Sequence, residues 1–154
     1  MRLRGYRAED LDAIQKLDEI CFEPPFCFSR SAMRRFTEAR RARVVLAEEK
    51  KILAGFVVVH LQKTAHGPVG YVVTLDVSPE FRRRGVATQL MREAARLAGS
   101  EHCVALMLHV FTGNEPAIRF YTQDGFLRSH LEEGYYGPAK DAWVLYKPLR
   151  YAIR

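Results

Sequence analysis

The chain has 154 residues and a formal net charge of +6, the length of one ordinary domain. Apolar residues make up 48% of it, enough to bury a core, and no apolar run approaches the ~18 residues that a membrane span requires. Cys21, Cys27 and Cys103 are odd in number and scattered, which argues against a disulfide framework and against a thiolate metal site.

Residues 1–6 are predicted as a first strand. The basic start Met1-Arg2-Leu3-Arg4 runs into Tyr6-Arg7-Ala8-Glu9-Asp10 rather than into an apolar signal segment, so a cytoplasmic location is expected. Residues 8–21 follow as a helix with Leu11, Ile14, Leu17 and Ile20 as its apolar stripe. Phe22-Glu23-Pro24-Pro25-Phe26-Cys27-Phe28 breaks that helix, and Ser29 is placed to cap a second one reaching residue 39. Residues 44–48 and 52–62 read as strands around a short turn, with a loop at His66-Gly67-Pro68 and a strand over 70–78 stopped by Pro79. Residues 86–98 are predicted as a helix with Val86, Leu90, Ala94 and Leu97 inward and Gly99 ending it. A strand over 104–110, a short helix over 115–124 closed by Gly125, and strands over 126–131 and 143–149 complete the chain.

The middle of the chain is thus strand, tight loop, helix, strand, a crossover that returns parallel and right-handed. The strands on either side are close neighbours in sequence and are expected to pair antiparallel. With no internal repeat or long linker, the expectation is one α/β domain over 1–154, a mixed central sheet of about seven strands flanked by about four helices.

The sharpest motif is Arg82-Arg83-Arg84-Gly85-Val86-Ala87-Thr88, between a strand and a helix. A helix start leaves backbone N–H groups unpaired, and glycine lets an anion approach them closely. The macrodipole and the arginines add positive potential, which suits a pyrophosphate. Neither a triphosphate-binding loop nor a Gly-x-Gly-x-x-Gly fingerprint is present. Further arginines at 34, 35, 40, 41 and 43 could attract nucleic acid, but the interleaved Glu9, Asp10, Asp12, Asp18 and Glu19 argue against that face, and no nucleic-acid or membrane partner is expected.

This motif resembles the Arg/Gln-x-x-Gly-x-Gly/Ala loop of the GNAT acetyltransferases, whose amides hold the coenzyme A pyrophosphate. Asn114-Glu115-Pro116-Ala117-Ile118-Arg119-Phe120-Tyr121 and Gly125-Phe126 resemble the same family's downstream signature. The resemblance implies a GNAT fold, acetyl-CoA as cosubstrate and no metal; His60, His66, His102, His109 and His130 show no ligand spacing of their own. It further implies that the backbone at Leu75 and Val77 meets the pantetheine arm, that Asn114 bonds the cofactor or caps its helix, and that Tyr121 protonates the departing thiolate.

Within the family, the chain is most similar to the N-terminal protein acetyltransferases, including the bacterial ribosomal-protein enzymes. Phe26-Cys27-Phe28-Ser29 resembles their first substrate loop, Leu108-His109-Val110 a segment of the fifth strand, and Tyr135-Tyr136 with Asp141-Ala142 the last hairpin. Substrate contact is implied for Phe26, Phe28, Tyr135 and Tyr136. His109 replaces the glutamate typical of the bacterial enzymes, and Cys27 stands where they tend to have proline. In one branch a fourth-strand tyrosine, matched here by Tyr71, pairs with such a histidine through a water.

An α-amine ionises near ~8 against ~10.4 for lysine, so a moderate base such as histidine suffices. His109 is therefore the candidate base and Tyr71 its companion, although a strand histidine can equally be a core residue and either tyrosine mere packing. The expected acceptor is a protein or peptide N-terminus, ribosomal proteins among the candidates, with a monomer as the default state. A GNAT acting on a small amine or lysine, and a CoA-binding module without catalysis, stay open as alternatives.

Overall fold

The computed structural model describes residues 1–149; residues 150–154 of the expected domain lie outside it. In chain order it runs β1 (Arg2–Gly5), a 3-10 turn at Ala8–Asp10, α1 (Leu11–Cys21), α2 (Arg30–Glu38), β2 (Ala42–Glu49), β3 (Ile52–Thr64) and β4 (Gly67–Val77). A second 3-10 turn at Pro79–Phe81 leads to α3 (Val86–Ser100), β5 (Ala105–Phe111), α4 (Glu115–Gln123), β6 (Leu127–Glu132) and β7 (Ala142–Pro148). The strands form one sheet in the order β1-β2-β3-β4-β5-β7-β6. Every neighbouring pair is antiparallel except β4 and β5, the pair joined by the α3 crossover.

Alternation along β3 divides the interior. Phe56 and Val58 pack with Leu11, Ile14, Leu17 and Met33 from α1 and α2, while Val57 and Val59 join Leu90, Met91 and Ala94 of α3 and Tyr121 of α4. Full burial of each such side chain contributes roughly 1.5–3 kcal/mol. Ser29 accepts the Ala32 N–H at 3.1 Å and starts α2 as its sequence indicated.

Three local expectations need correction. Ile20 is 59% exposed. A spacing of three lags the helical turn, and by the fourth member the stripe has drifted to roughly the opposite side. The inward position goes to Asp18, seven residues after Leu11 and fully buried. Gly99 does not end α3. The stop is a Schellman arrangement one step later, in which Cys103 N–H donates to Ala98 O, His102 N–H donates to Gly99 O, and His102 itself takes the left-handed conformation at φ 63°. Gly67-Pro68 is not loop but the first step of β4, because Lys63 and Thr64 extend β3 to pair with it.

The feature that positions the site is an irregularity in β4. Val59 pairs with Val72 and Val58 with Thr74, leaving Val73 as an extra residue. Such a bulge bends and twists its strand. The parallel ladder to β5 runs only from Val69↔Ala105 to Tyr71↔Met107, so the two strands part at the bulge.

Candidate active site

The parted strands open a cavity of about 960 Å³. Residues 71–75 of β4 form one wall, 108–111 of β5 another; the loop over 21–28 and the pair Tyr135 and Tyr136 flank one end, while Asn114, Ala117 and Tyr121 contribute from α4 and its start. Beyond Tyr71, β4 has no ladder partner on the β5 side, so its backbone polar groups there are available to a ligand.

At the start of α3, Gly85 holds φ 77°, and Arg83 is also left-handed at φ 63°. The first α3 bond back to the cap is Gln89 N–H to Gly85 O, so the N–H groups of Val86, Ala87 and Thr88 have no acceptor within the helix. That is an anion cradle of backbone amides. The arginines are less concentrated on it than their spacing implied. Arg84 is held by both oxygens of Glu49 at 3.0 Å and lies over the Phe81 ring, and Arg82 turns back to Val77 O at 3.4 Å. The cradle itself does not line the cavity.

Tyr121 is buried from α4, edge-on to Phe120 and Phe126 at 5.4 Å each. Burial first, and the negative charge of Asp76 second, push its phenol well above the usual tyrosine range. The hydroxyl therefore stays protonated and able to donate. Asn114 caps α4, accepting the Ala117 N–H at 3.3 Å through its side-chain oxygen, which leaves its amide N–H groups for a ligand.

Strand alternation places His109 on the open side of β5, between buried Leu108 and Val110. Tyr71 Oη lies 2.6 Å from His109 Nδ1 and 3.4 Å from Tyr135 Oη. A separation of 2.6 Å has no room for an intervening water, so the expected water-bridged pair is corrected to a direct hydrogen bond. Tyr135 stacks on the imidazole with ring centres 3.9 Å apart and planes within 5° of parallel. On its far side, His109 Nε2 comes within 3.1 Å of Glu132 Oε2, off the N–H direction, so this contact is electrostatic rather than a hydrogen bond. Burial, aided by Tyr135, pushes the Tyr71 phenol far up, and burial does the same for Tyr136. A phenol held protonated donates to Nδ1, which leaves Nε2 as the ring nitrogen on the Glu132 side.

Two loops wall one end of the cavity. Phe26 packs on Phe111 and Tyr136 at 5.0 Å each, and Tyr136 sits edge-on to Tyr135 at 4.9 Å. The hairpin loop is fixed by Gly134 N–H to the Asp141 carboxylate at 2.9 Å and by Tyr136 N–H to Lys140 O at 3.0 Å. Phe28 lines the same cavity but turns to the α2 side, edge-on to Phe36 at 4.9 Å.

Residues 11–126 match the family model described as the Acetyltransferase (GNAT) family. The chain belongs to the GNAT acetyltransferase family. N-alpha-acetyltransferase 60 of Danio rerio is 37% identical over 86 residues, covering 51% of this chain and 36% of that protein. The N-alpha-acetyltransferase of Saccharolobus solfataricus is 32% identical over 81 residues, covering 52% of this chain and 48% of that protein. The matched part thus spans half or less of the length of these relatives. Among solved structures, Arabidopsis thaliana Naa50 in complex with the bisubstrate analogue CoA-Ac-MVNAL is 26% identical with a TM-score of 0.80, covering 95% of this chain and 97% of that one. The ribosomal-protein-S18-alanine N-acetyltransferase of Escherichia coli, 18% identical with a TM-score of 0.82 over 96% of this chain and 93% of its own, shares the fold.

The mixed sheet and helices are those of the GNAT fold. Tyr71, Leu75, His109, Asn114, Tyr121, Phe26, Phe28, Tyr135 and Tyr136 all line the one cavity. Val77 and the turn from Arg82 through Gly85 to Thr88 do not. Three acidic residues escaped sequence reasoning. Glu132 ends an exposed edge strand and reads as surface until β7 brings it beside β5. Asp18 and Asp76 are buried between α1 and β4. A carboxylate on the inward side of a helix was the available signal for Asp18, hidden by the spacing-of-three stripe. No metal-binding group of three acidic, histidine or cysteine side chains occurs among the described residues, and no described helix is long and apolar enough to cross a membrane.

Proposed function

We propose that this GNAT domain, a single unit over 1–154, transfers the acetyl group of acetyl-CoA to the α-amine of a protein or peptide N-terminus. The observation that carries this is the convergence, on one cavity, of a directly bonded tyrosine–histidine pair, a phenol kept protonated by burial, and aromatic walls from two loops. The bisubstrate complex of Naa50, whose peptide portion begins with methionine, supports a peptide acceptor.

In the proposed reaction the amine nitrogen attacks the thioester carbonyl and the carbon–sulfur bond breaks. The amine proton passes to Tyr71 Oη as the Tyr71 proton passes to His109 Nδ1. The resulting imidazolium is stabilised by Glu132, 3.1 Å from Nε2. Tyr121 donates its proton to the departing sulfur. The backbone of β4 at Leu75 and Val77 and the amides of Val86, Ala87 and Thr88 hold the coenzyme, with Asn114 adding a donor and Arg82, Arg83 and Arg84 the surrounding positive field. Phe26, Phe28, Tyr135 and Tyr136 hold the first residues of the acceptor. The setting is cytoplasmic, the enzyme monomeric, and ribosomal proteins are among the acceptors.

A panel of peptides differing in the first residue, each also supplied with its α-amine blocked, tests the reading by mass spectrometry. Free peptides are expected to gain one acetyl group at the α-amine and blocked ones none. Acetylation confined to lysine side chains or to small amines would overturn it.

A further inference from the structure

Asp18 on α1 and Asp76 on β4 are 0% and 1% exposed. Each has one oxygen satisfied: Asp18 Oδ2 accepts the Phe28 backbone N–H at 2.7 Å, and Asp76 Oδ1 accepts the Thr74 hydroxyl at 2.5 Å. The remaining oxygens, Asp18 Oδ1 and Asp76 Oδ2, meet no donor among the described residues. The two carboxyl groups stand within hydrogen-bonding reach of each other. Two adjacent buried carboxylates strongly oppose double ionisation. A single proton between the two orphan oxygens satisfies both and leaves one charge instead of two.

We propose that Asp18 and Asp76 share one proton and so form a latch that fastens the first acceptor loop, through the Phe28 N–H, to the strand that borders the thioester. Asp18 and Asp76 are positioning residues, since neither lines the cavity. The role assigned to the loop rests on the peptide-acceptor reading above. The latch joins the two halves of the reaction mechanically: α1 and the loop carrying Phe26 and Phe28 on one side, β4 with Leu75 and Val77 on the other.

The surroundings leave the pair to neutralise itself. From α1, Cys21 donates its thiol to Val77 O at 3.4 Å, and burial pushes that thiol up to about 11. Arg82 lies beyond Cys21 and acts on its thiol. From α4, Tyr121 feels the Asp76 charge but holds its own proton. β3 presents Phe56 and Val58 on this side, and α2 directs Arg30 and Arg34 to Asp12 and Glu38. Neither orphan oxygen has a cationic partner among the described residues.

Burial first, and Asp18 second, raise the Asp76 carboxyl well above the usual carboxylate range. The folded protein thus keeps a proton that the unfolded chain releases near ~3.9. Stability from the pair is full below that value and is lost as pH rises through the folded one. Asp76→Asn supplies a permanent N–H to Asp18 Oδ1, keeps an oxygen for Thr74 and does not titrate. Urea unfolding of both proteins from about pH 5 to about pH 9 should show the folding constant of Asp76→Asn gaining on wild type, ~10-fold per pH unit until the folded value is passed. A ratio independent of pH overturns the shared proton. In the peptide assay, the ratio of wild-type to Asp76→Asn peptide KM, in which the acceptor amine's own titration cancels, should climb as the proton is lost. Asp18→Ala, which abandons the Phe28 N–H, should raise peptide KM by ~10-fold and leave acetyl-CoA KM in place; equal movement of both overturns the latch. The unfolding measurements need no acceptor, so a wild-type enzyme that ignores peptides would strike the acceptor reading and leave the proton-sharing test standing.

Discussion

Tyr71→Phe and His109→Ala, alone and together, interrogate the proton path. The first keeps the aromatic ring and deletes only the oxygen 2.6 Å from His109 Nδ1 and 3.4 Å from Tyr135 Oη. The second removes the proposed terminal base and its stacking with Tyr135. A general base contributes ~10²–10⁴-fold, and each single variant should lose kcat/KM for peptide toward the lower end of that range at neutral pH. If the hydroxyl and the imidazole are consecutive stations on one path, breaking either stops the flow. The double variant should then resemble the worse single one. With ~100-fold single losses, independent action would multiply to ~10⁴-fold. The shortfall expected here corresponds to about 2.7 kcal/mol of coupling. Initial rates of CoA release across about pH 6.5 to 9.5 supply the assay. Above ~8 the free amine is abundant and the His109→Ala defect should shrink. Loss of one hydrogen bond costs about 1 kcal/mol of stability, roughly 2–4 °C in Tm, so thermal melts separate unfolding from chemistry. A double variant showing the product of the single losses at every pH would refute the path.

Three further outcomes are expected. Gly85→Asp places a side chain on a residue at φ 77° and a negative charge at the start of α3, in space that is otherwise open; calorimetry should show CoA affinity falling at least ~10-fold in a folded protein. Tyr121→Phe should lower kcat by ~10²-fold or more while CoA binding holds, because the ring still packs on Phe126 and only the donor is gone; wild-type turnover would reduce Tyr121 to packing. Tyr136→Ala removes a wall that touches Phe26, Phe111 and Tyr135, and steady-state kinetics should show peptide KM rising ~10-fold with acetyl-CoA KM nearly unchanged.

What was legible in the sequence is what local chemistry encodes. Gly85 ahead of Val86 marks a turn into a helix open to close backbone approach, and the structure puts the start of α3 there, with Gly85 at φ 77°. The alternation that any strand imposes sets His109 on the side away from Leu108 and Val110, as the structure has it. Tyr135 and Tyr136, adjacent in a loop, had no core to join and line the cavity. Side-chain direction was not legible. Three consecutive arginines look like one positive cluster, yet Arg84 answers Glu49, 35 residues earlier, through a strand turn that only the fold brings near. Glu132 likewise reaches His109 only because β7 lies between β5 and β6. Whether tyrosine and histidine touch or are bridged depends on roughly a water's width of separation, which no residue pattern carries.

The extra residue in β4 ties these separate readings together. Without Val73 as a bulge, strict alternation would send Thr74 and Asp76 to the α3 side and Leu75 and Val77 to the α1 side. With it, Val72, Leu75 and Val77 pack toward α3 and α4, while Val73 packs toward α1 and α2 and Asp76 meets Asp18 of α1. The same irregularity falls immediately after Tyr71, the last β4 residue paired with β5, so the bent strand both frees its backbone for a ligand and leaves the Tyr71 hydroxyl at the apex of the opening, against His109. One inserted residue therefore accounts for the cleft, for the placement of the Tyr71–His109 pair at its head, and for the buried carboxyl pair beneath its wall. Sequence periodicity predicts a strand over this stretch but is blind to a one-residue slip inside it, so the cleft was expected from family resemblance and the carboxyl pair was not expected at all.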